Sequence, residues 1–314
     1  MIATAARPNT AVGGPRLTTT VAREYVHREA LSEVFLTGST PTAADAFTVS
    51  AQWPRDHSFF TTGHGLYDPM LLAETVRQTV PLLMHCEYGV PLGYHFGWTD
   101  FSFRVRPEAM RTTRAPAEPD LLITCHDVRR RGRLPVSMTM RIQVRWGGDV
   151  IGRAEMDVWS RAPEVYRRLR GKYADREEVF AAAPVPPPAV AGALVGRART
   201  QDVVLSRETT SPRWRLRVDT GHPTFFDHPL DHVPGMLTLE AVRQAALAAV
   251  GGDGAALLTG IDVTFGRYVE FDTPCWVTAH PSQAGSPDSF AVDGEQNGKT
   301  AFSATAYLAT PPVF

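Results

Sequence analysis

Residues 59–78 read FFTTGHGLYDPMLLAETVRQ, and residues 225–244 read FFDHPLDHVPGMLTLEAVRQ. Aligned without a gap at a constant offset of 166, the two stretches are identical at 8 of 20 positions. The shared residues include the pairs Glu74/Glu240, Arg77/Arg243 and Gln78/Gln244. Identity of this density at a fixed offset indicates an internal duplication, so the sequence predicts two diverged copies of one structural unit.

Shorter runs continue the similarity beyond these two stretches. They alternate apolar with polar residues and favour β-branched or aromatic side chains, which is typical of strands. The runs of the first copy and their counterparts in the second are 101–105 with 263–267, 121–126 with 276–280, and 154–159 with 303–308. Each copy is therefore predicted to contain a strand, a loop, a long helix and then three or four strands.

The long helix is clearest in the second copy. Pro234 suits a first helical turn, where its missing N–H costs nothing, and Gly251 and Gly252 are typical of a helix end. Apolar residues between these bounds cover more than one face, so the helix should be buried on most sides. One long buried helix with several antiparallel strands predicts a sheet wrapped around a central helix, which is the hotdog architecture. The predicted fold class is α+β, with two hotdog repeats in tandem.

The repeat pattern divides the 314 residues into four segments. Residues 1–16 are small, polar and rich in Pro and Gly, and we expect them to be disordered. Residues 17–160 form the first repeat, 161–200 a linker and 201–314 the second repeat. The linker begins with a basic helical piece, and its run PVPPP at 184–188 can neither join a sheet nor continue a helix.

Composition excludes several classes of function. The net charge is −1, so no overall field attracts nucleic acid or an anionic membrane, and RRR at 129–131 is predicted to be a solvated hairpin turn. Three widely spaced cysteines indicate neither a disulfide framework nor a metal cluster, and we expect no metal or cofactor. The sequence has no apolar run of about 18 residues and no signal pattern, so a cytoplasmic protein without a membrane span is expected.

Three polar residues of each predicted helix lie on one face. In the second copy they are Glu240, Arg243 and Gln244, which the i, i+3, i+4 spacing brings together. Burial of a charge is costly unless the charge is paired. One interpretation is an ion pair within each helix, with a glutamine hydrogen bond that orients the two halves. The other interpretation is a catalytic carboxylate with an anion-binding arginine.

The loop before the second helix contains further candidate site residues. His228 lies in DHP at 227–229, and PGML at 234–237 and Glu240 follow. This order resembles the β-hydroxyacyl-carrier-protein dehydratases, in which His and Glu are the acid/base pair and the helix N-terminus, here near Gly235, holds the thioester carbonyl. The loop is shorter than in that family, Asp replaces Gly before the histidine, and the first copy lacks Pro-Gly. These departures argue against dehydration but keep the thioester-binding frame.

Longer segments carry a closer resemblance. They are VHR (26–28), SEVFLT (32–37), FTVSAQWPRDHSFF (47–60), YDPMLLAETVRQ (67–78), YRRLRGKY (166–173) and DHPLDHVPGMLTLEAVRQA (227–245). Together they span nearly all of residues 17–314. They resemble the A-factor biosynthesis protein family of actinomycetes, the γ-butyrolactone autoregulator synthases.

This resemblance implies two hotdog repeats and a particular acyltransferase. Such an enzyme moves a β-ketoacyl group from an acyl-carrier-protein thioester to a hydroxyl of dihydroxyacetone phosphate. That transfer is the first committed step towards a diffusible γ-butyrolactone signal, which other enzymes complete. The resemblance also implies that Glu74, Glu240 and Arg243 are site residues, and that the partners are acyl carrier protein and dihydroxyacetone phosphate.

The residues suit such a transfer. An alcohol that attacks a thioester needs a general base, and a buried Glu can supply it if burial raises its pKa. The developing oxyanion needs donors, which a helix N-terminus provides. A phosphate-bearing acceptor needs a planar, bidentate arginine, for which Arg77 and Arg243 are candidates and Arg55 is a further one.

Hotdog dimers usually build each site across two units, and here both units lie in one chain. His228 is therefore predicted to face Glu74, and His57 or His64 to approach Glu240. We expect the chemistry at Glu240 and Arg243, whose helix keeps the Pro-Gly start, with Glu74 and His228 as further catalytic residues. The expected substrate-binding residues are Arg77, Gln78, Gln244, Gly235, His64, His57 and Arg55.

Three functions compete at this point. The first is acyl transfer to dihydroxyacetone phosphate, which needs a phosphate pocket and the exclusion of water. The second is another thioester enzyme, a dehydratase or thioesterase, which needs no phosphate pocket. The third is a non-catalytic hotdog protein that binds acyl ligands or a partner, and glutamates that merely bridge to arginine would favour it. Two chains could also pair as a homodimer.

Overall fold

The computed structural model describes residues 19–207, 213–251, 256–282 and 288–313. The segment 1–16, predicted to be disordered, lies outside the described residues. The helices are α1 (Pro69–Cys86), α2 (Pro163–Arg170), α3 (Arg176–Ala181) and α4 (Gly235–Val250). The strands are β1 (Leu36–Ala43), β2 (Ala46–Ala51), β3 (His95–Val105), β4 (Asp120–Arg131), β5 (Leu134–Trp146), β6 (Asp149–Arg161), β7 (Leu205–Arg207), β8 (Trp214–Leu216), β9 (Leu257–Phe265), β10 (Cys275–Pro281), β11 (Ser289–Gln296) and β12 (Lys299–Ala309).

The twelve strands form one antiparallel sheet in the order β1-β2-β4-β5-β6-β3-β9-β12-β11-β10-β8-β7. The second half repeats the first in reverse, and the halves join where β3 pairs with β9. Asp100 lies opposite Thr264 and Arg104 opposite Gly260 in this central pair. Gly260 permits the junction, because a Cβ at this position would lie 2.4 Å from the carbonyl oxygen of Phe103. The predicted α+β architecture of two tandem units is confirmed.

The strands of the first half alternate as their sequence predicts. Leu121, Ile123 and Cys125 of β4 are buried against the helix side of the sheet, and the residues between them face solvent. Gly132, at a φ of +63°, makes the tight turn from β4 to β5. The run RRR at 129–131, predicted to be the hairpin turn itself, is the exposed end of β4, and the turn that follows is Gly132 and Arg133.

The two long helices are almost fully buried, which is why they tolerate so few polar residues. α4 ends before Gly251, whose φ of +114° is left-handed, so the predicted end is confirmed. Pro234, predicted to lie in the first turn, is the N-cap residue, and the helix begins at Gly235. α1 begins after Asp68 and is buried along nearly its whole length. Each helix packs mainly on strands of its own half, and α1 also contacts β9 at the junction of the halves.

Two features differ from the sequence prediction. Two strands, not one, precede each long helix, and four strands follow it. The basic helical piece predicted at the start of the linker 161–200 is present as α2 and α3, but α2 is fixed to the second repeat, because Arg170 binds Asp231 and Glu270. Among the described residues, no helix is both long and apolar enough to cross a membrane.

Candidate active site

Each long helix carries one buried glutamate that is saturated with hydrogen bonds. Glu74 and Glu240 are both 0% exposed. Glu74 accepts from Nε and Nη2 of Arg77, from Nε2 of Gln78, and from Nε and Nη2 of Arg28, at 2.7–3.2 Å. Arg243, Gln244 and Arg197 surround Glu240 in the same way, at 2.6–2.9 Å.

These partners decide the ionisation of both glutamates. Burial alone would raise the pKa of Glu74, but the positive charges of Arg28 and Arg77 outweigh it and lower the pKa to about 2. Arg197 and Arg243 lower the pKa of Glu240 to about 2 against the same effect of burial. The expectation of a raised pKa is therefore wrong. A carboxylate held by two guanidinium groups is a poor proton acceptor, so these glutamates orient arginines instead of serving as bases.

Arg28 and Arg197 also connect the two repeats. Arg28 Nη1 donates to the carbonyl oxygen of Thr224 at 2.9 Å, and Arg197 Nη1 donates to that of Phe59 at 2.6 Å. Each arginine therefore holds its own repeat's glutamate and the other repeat's loop. Phe59 and Phe225 meet edge to face at the same contact, with ring centroids 4.8 Å apart.

The two glutamines make structural hydrogen bonds. Gln78 donates to the carbonyl oxygen of Glu33 and to Glu74, and it accepts from the N–H of Phe35. Gln244 makes the equivalent bonds to Asp202, Glu240 and Val204. The prediction that Gln78 and Gln244 bind substrate is corrected, because these bonds tie each helix to its first strand and both amides are fully buried.

His57 is a structural clamp with a counterpart in the other repeat. Its Nδ1 accepts from the N–H groups of Phe59 and Phe60, and its Nε2 lies 3.4 Å from Glu33. His222 accepts from the N–H groups of Thr224 and Phe225 in the same way. Of the two histidines predicted to approach Glu240, His57 has its ring nitrogens engaged within its own repeat, by Phe59, Phe60 and Glu33.

The two helix starts differ in their capping. The side chain of Asp68 accepts from the N–H of Met70 at 2.8 Å, so a carboxylate already occupies the start of α1. At α4 the N-cap is Pro234, which has no side-chain acceptor. Among the described hydrogen bonds, the N–H groups of Gly235 and Met236 have no acceptor. The start of α4 can therefore stabilise an external oxyanion, as predicted for Gly235.

A small pocket of about 140 Å³ lies at the start of α1. Its walls include His64, Asp68, Gly196 and Arg243. One oxygen of Asp68 is buried there without a hydrogen-bond partner among the described residues, and burial raises its pKa, although Arg197 and Arg243 oppose this effect. The predicted approach of His64 to the second repeat's cluster agrees with this pocket, which it shares with Arg243.

A larger pocket of about 370 Å³ lies at the start of α4. Gly235 forms part of its wall, and a Cβ at this position would lie 2.9 Å from the Trp98 ring. Trp159 and Tyr268 add aromatic surface to the wall. The lining residues come from both repeats and from the segment between them: Phe96, Gly97, Trp98, Thr99, Trp159, Arg161, Leu169, His232, Val233, Gly235, Thr238, Phe265, Gly266, Arg267, Tyr268 and Val269. Its apolar walls suit an acyl chain or a pantetheine arm.

Histidines gather beside this larger pocket. His27 stacks on Phe96 with centroids 5.3 Å apart, and its Nε2 lies 3.0 Å from Nε2 of His85. Burial, His85 and Arg77 lower the pKa of His27 to about 3, so the ring is neutral. His85 Nδ1 lies 2.7 Å from the carbonyl oxygen of Val90, which can only accept. His85 Nδ1 therefore carries the proton, His27 Nε2 donates to His85, and His27 Nδ1 is left as an acceptor.

His228 belongs to the same group of residues. Its Nδ1 lies 2.7 Å from Oδ1 of Asp227, which leaves Nε2 as the lone-pair nitrogen of a neutral ring. Burial would raise the pKa of Asp227, but the His228 hydrogen bond and the charge of Arg28 hold it well below its usual range. His228 is 24% exposed and is close enough to His27 to affect its pKa.

The structure thus divides the predicted residues between two sites. Gly235 lines the larger pocket, and His64 and Arg243 line the smaller one, where Glu240 binds Arg243. Arg77, held by Glu74, and His228 lie close enough to affect the pKa of His27, which stacks on Phe96 of the larger pocket. His228 does not touch Glu74, because Arg28 lies between Glu74 and Asp227, at 2.7 Å and 3.5 Å. The Pro-Gly start of α4 lies at the larger pocket, whereas Arg243 lines the smaller one. The Pro-Gly start is therefore no reason to choose Glu240 and Arg243 as the catalytic pair.

Arg55 lies outside both sites. It is exposed, and its Nε donates to the carbonyl oxygen of Thr113 at 3.2 Å. It lines neither pocket, so the prediction that it binds substrate is corrected.

Sequence reasoning missed Arg28 and Arg197, although a signal exists. Residues 26–28 read VHR and residues 195–197 read VGR, an offset of 169. His27 and Gly196 both have left-handed backbones, with φ of +52° and +66°. An alignment that allows a gap of three residues upstream of the helix finds both arginines.

Comparison with known proteins identifies the family of the chain. A model of the A-factor biosynthesis hotdog domain (AfsA) matches residues 11–160 and 181–310. A 2-oxo-3-(phosphooxy)propyl 3-oxoalkanoate synthase of Streptomyces virginiae is 46% identical over 291 residues, which are 91% of this chain and 97% of that protein. A protein of the same name from Streptomyces coelicolor is 40% identical over 89% of this chain and 88% of its own length.

Solved structures share the fold at low identity. An acyl-ACP thioesterase from Bacteroides thetaiotaomicron superposes with a TM-score of 0.51 at 11% identity, over 85% of this chain and 98% of that chain. A pyran synthase domain from module nine of the sorangicin pathway gives a TM-score of 0.50 at 11% identity, over 89% and 98%. With both repeats matched by the family model, this chain belongs to the A-factor biosynthesis hotdog domain family.

Proposed function

We propose that this protein is a 2-oxo-3-(phosphooxy)propyl 3-oxoalkanoate synthase. It transfers a β-ketoacyl group from a thioester to a hydroxyl of dihydroxyacetone phosphate, the first committed step of γ-butyrolactone signal synthesis. The observation that carries this proposal is identity of 38–46% with synthases of that name along almost the whole chain. The acyl donor is a β-ketoacyl carrier protein, and the reaction takes place in the cytoplasm.

The thioester binds at the start of α4. The free N–H groups of Gly235 and Met236 receive the carbonyl oxygen, and the helix dipole stabilises the negative charge that develops on it. The start of α1 cannot do the same, because the Asp68 side chain occupies it. This difference in capping favours the larger pocket as the catalytic one.

His228 is the general base for the acceptor hydroxyl. Asp227 fixes the ring so that Nε2 carries the lone pair. Nε2 takes the hydroxyl proton as the alcohol oxygen bonds to the thioester carbon. The C–S bond then breaks, and His228 returns the proton to the leaving thiolate, so no net proton is consumed. Hydrogen bonding to Asp227 stabilises the imidazolium between these two steps.

Arg77 binds the phosphate of the acceptor. Glu74 holds Nε and Nη2 of its guanidinium, and no described hydrogen bond uses Nη1. The side chain is 20% exposed, in contrast to the fully buried Glu74. Glu74 thereby acts as a positioning residue that fixes the direction of the free N–H groups. A homodimer is not needed to complete either site, since both repeats come from one chain.

Pairing of Glu74 and Glu240 with arginine is also what a non-catalytic acyl-binding protein would have. One assay separates these functions. The purified protein is mixed with a β-ketoacyl carrier protein and dihydroxyacetone phosphate, and the products are followed by mass spectrometry. We expect the β-ketoacyl ester of dihydroxyacetone phosphate. Free acid that forms without the acceptor would indicate a thioesterase, and an intact thioester would refute the transferase.

A further inference from the structure

Helix α2 is fixed against the loop that precedes α4. Arg170 is almost fully buried and binds Asp231 at 2.7 Å and both oxygens of Glu270 at 2.8 Å. The hydroxyl of Tyr166 donates to Asp231 at 2.8 Å, and the His95 ring stacks on Tyr166 with centroids 3.7 Å apart. Buried charge pairs of this geometry hold an element rigidly, so α2 presents a fixed outer surface.

That outer surface is basic and partly apolar. Arg167 and Arg168 are exposed, and the described ion pairs include neither of them. Leu169 is 67% exposed although it is a large apolar residue. One acidic residue, Glu164, lies in the first turn of the helix. An exposed leucine beside unpaired guanidinium groups indicates a surface that meets another molecule.

The position of this surface links it to the larger pocket. Leu169 forms part of the pocket's rim, together with Arg161 and Arg267. Neither of these two arginines forms an ion pair with a described residue; Arg161 donates to the carbonyl oxygens of Val136 and Ser160. Two arginines without a described ion pair therefore line the pocket that Gly235 also lines. Asp231 and Glu270 of the second repeat, which bind α2, are already paired with Arg170.

We propose that the outer face of α2 is the docking surface for the acyl carrier protein. This inference rests on the proposed function, which requires a carrier-bound donor. Carrier proteins are small acidic proteins, and their prosthetic arm is attached through a phosphate, so the charges are complementary. Arg167 and Arg168 attract the acidic surface, and Leu169 packs in the centre of the contact. Arg161 and Arg267 lie where the phosphate of the arm passes into the pocket.

The test compares two donors and two double variants. The donors are a β-ketoacyl carrier protein and the same acyl group on N-acetylcysteamine, which has no protein to dock. The docking variant is Arg167→Glu/Arg168→Glu. The matched control is Arg145→Glu/Arg153→Glu, because both residues are exposed, and Arg145 lies near the far end of the β5–β6 hairpin from Arg161. KM and kcat are measured for each pair.

We expect the docking variant to raise KM for the carrier-bound donor by about 10-fold or more, with no change for the small thioester. The control should leave both constants within about 2-fold of wild type. Added salt should raise KM of the wild type and have little effect on the docking variant. An unchanged KM for the carrier-bound donor, or an equal loss with both donors, would overturn the docking surface.

Direct binding keeps this inference separate from the catalytic proposal. Fluorescence anisotropy of a labelled β-ketoacyl carrier protein measures docking without turnover. Binding by the wild type that the docking variant loses supports the surface even if no ester forms. Absence of binding by the wild type, at carrier concentrations that support turnover, refutes it. Leu169→Asp should weaken the same binding through lost apolar contact, and the circular dichroism of each variant reports whether it is folded.

Discussion

Arg28 and Arg197 are structural equivalents whose guanidinium groups each bind their own repeat's glutamate and reach into the other repeat. Arg28 donates to Glu74 and to the carbonyl oxygen of Thr224, and Arg197 donates to Glu240 and to that of Phe59. The two halves are therefore joined through their buried charges as well as through the sheet. Loss of either arginine should affect both halves.

Replacement of Arg197 by Met should destabilise the protein by about 3–5 kcal/mol, because it leaves the buried Glu240 with one arginine instead of two. The free energy of unfolding, measured with urea, tests this value. Arg106→Met is the control, since Arg106 pairs with Glu108 on the surface and should change stability by less than about 1 kcal/mol. Equal effects of the two substitutions would contradict the importance of the buried pair.

Stability should decline as the pH falls. Glu74 and Glu240 have a pKa of about 2 when folded, below the ordinary 4.5. The unfolded chain therefore binds more protons between these values, and unfolding becomes easier as pH drops from 4.5 to 2. His27, with a pKa of about 3 against 6.5, acts in the same direction from pH 6.5 downwards.

Urea unfolding at several pH values measures this dependence. The free energy of unfolding should change by at most about 1.4 kcal/mol per pH unit for each group that titrates. His27→Gln should flatten the curve between pH 6.5 and 5 and leave the steeper part below 4.5. A stability that stays constant from pH 7 to 4 would show that His27 titrates normally in the folded state.

His228→Gln should reduce kcat for acyl transfer by about 10²–10⁴-fold, because the glutamine side chain cannot accept the proton of the substrate hydroxyl as Nε2 of His228 does. Its melting temperature should stay close to that of wild type, since the ring is partly exposed. Asp227→Asn should also lower kcat, through the orientation of the ring. His126→Gln on the exposed face of β4 is the matched control. Full activity of His228→Gln would show that another residue is the general base.

His27→Gly should keep the fold and lower activity, because the ring supports Phe96 in the wall of the larger pocket. Gly196 occupies the equivalent position with the same left-handed backbone, so glycine fits there without strain. The left-handed conformation costs a histidine roughly 1–2 kcal/mol, which offsets part of the lost stacking on Phe96. Melting temperature and kcat/KM, measured together, test this separation. Unchanged activity would mean that the ring only fills space.

The helices and main strands could be predicted because their patterns are local. Glu74 and Glu240 align at an offset of 166 because a helix of fixed period carries them. The flanking segments differ in length, so the offset is 165 at His57/His222 and 169 at Arg28/Arg197. An ungapped comparison misses these pairs. The ionisation of the glutamates was missed for the same reason, since the second arginine of each cluster lies more than forty residues upstream.

The division of the site was equally hidden from sequence. Gly235 and Arg243 lie on one helix, yet they line different pockets: Gly235 lines the larger one, and Arg243 lines the smaller one together with Asp68 before α1. Chain order favours residues of one segment as partners, and only the joined sheet shows that the partners cross over. Asp68 was not singled out as a cap, although Asp before Pro-Met is a common helix start.

The fusion of both repeats in one chain changes what a single mutation can do. In a dimer of identical hotdog units, any substitution alters both sites at once, so neither can change its task alone. Here Asp68 closes one helix start while Gly235 remains open at the other. Selection can therefore act on the two halves independently, so that one half can be selected for catalysis and the other for stability of the fold. With the larger pocket as the proposed catalytic one, we expect one acyl group to bind to each chain.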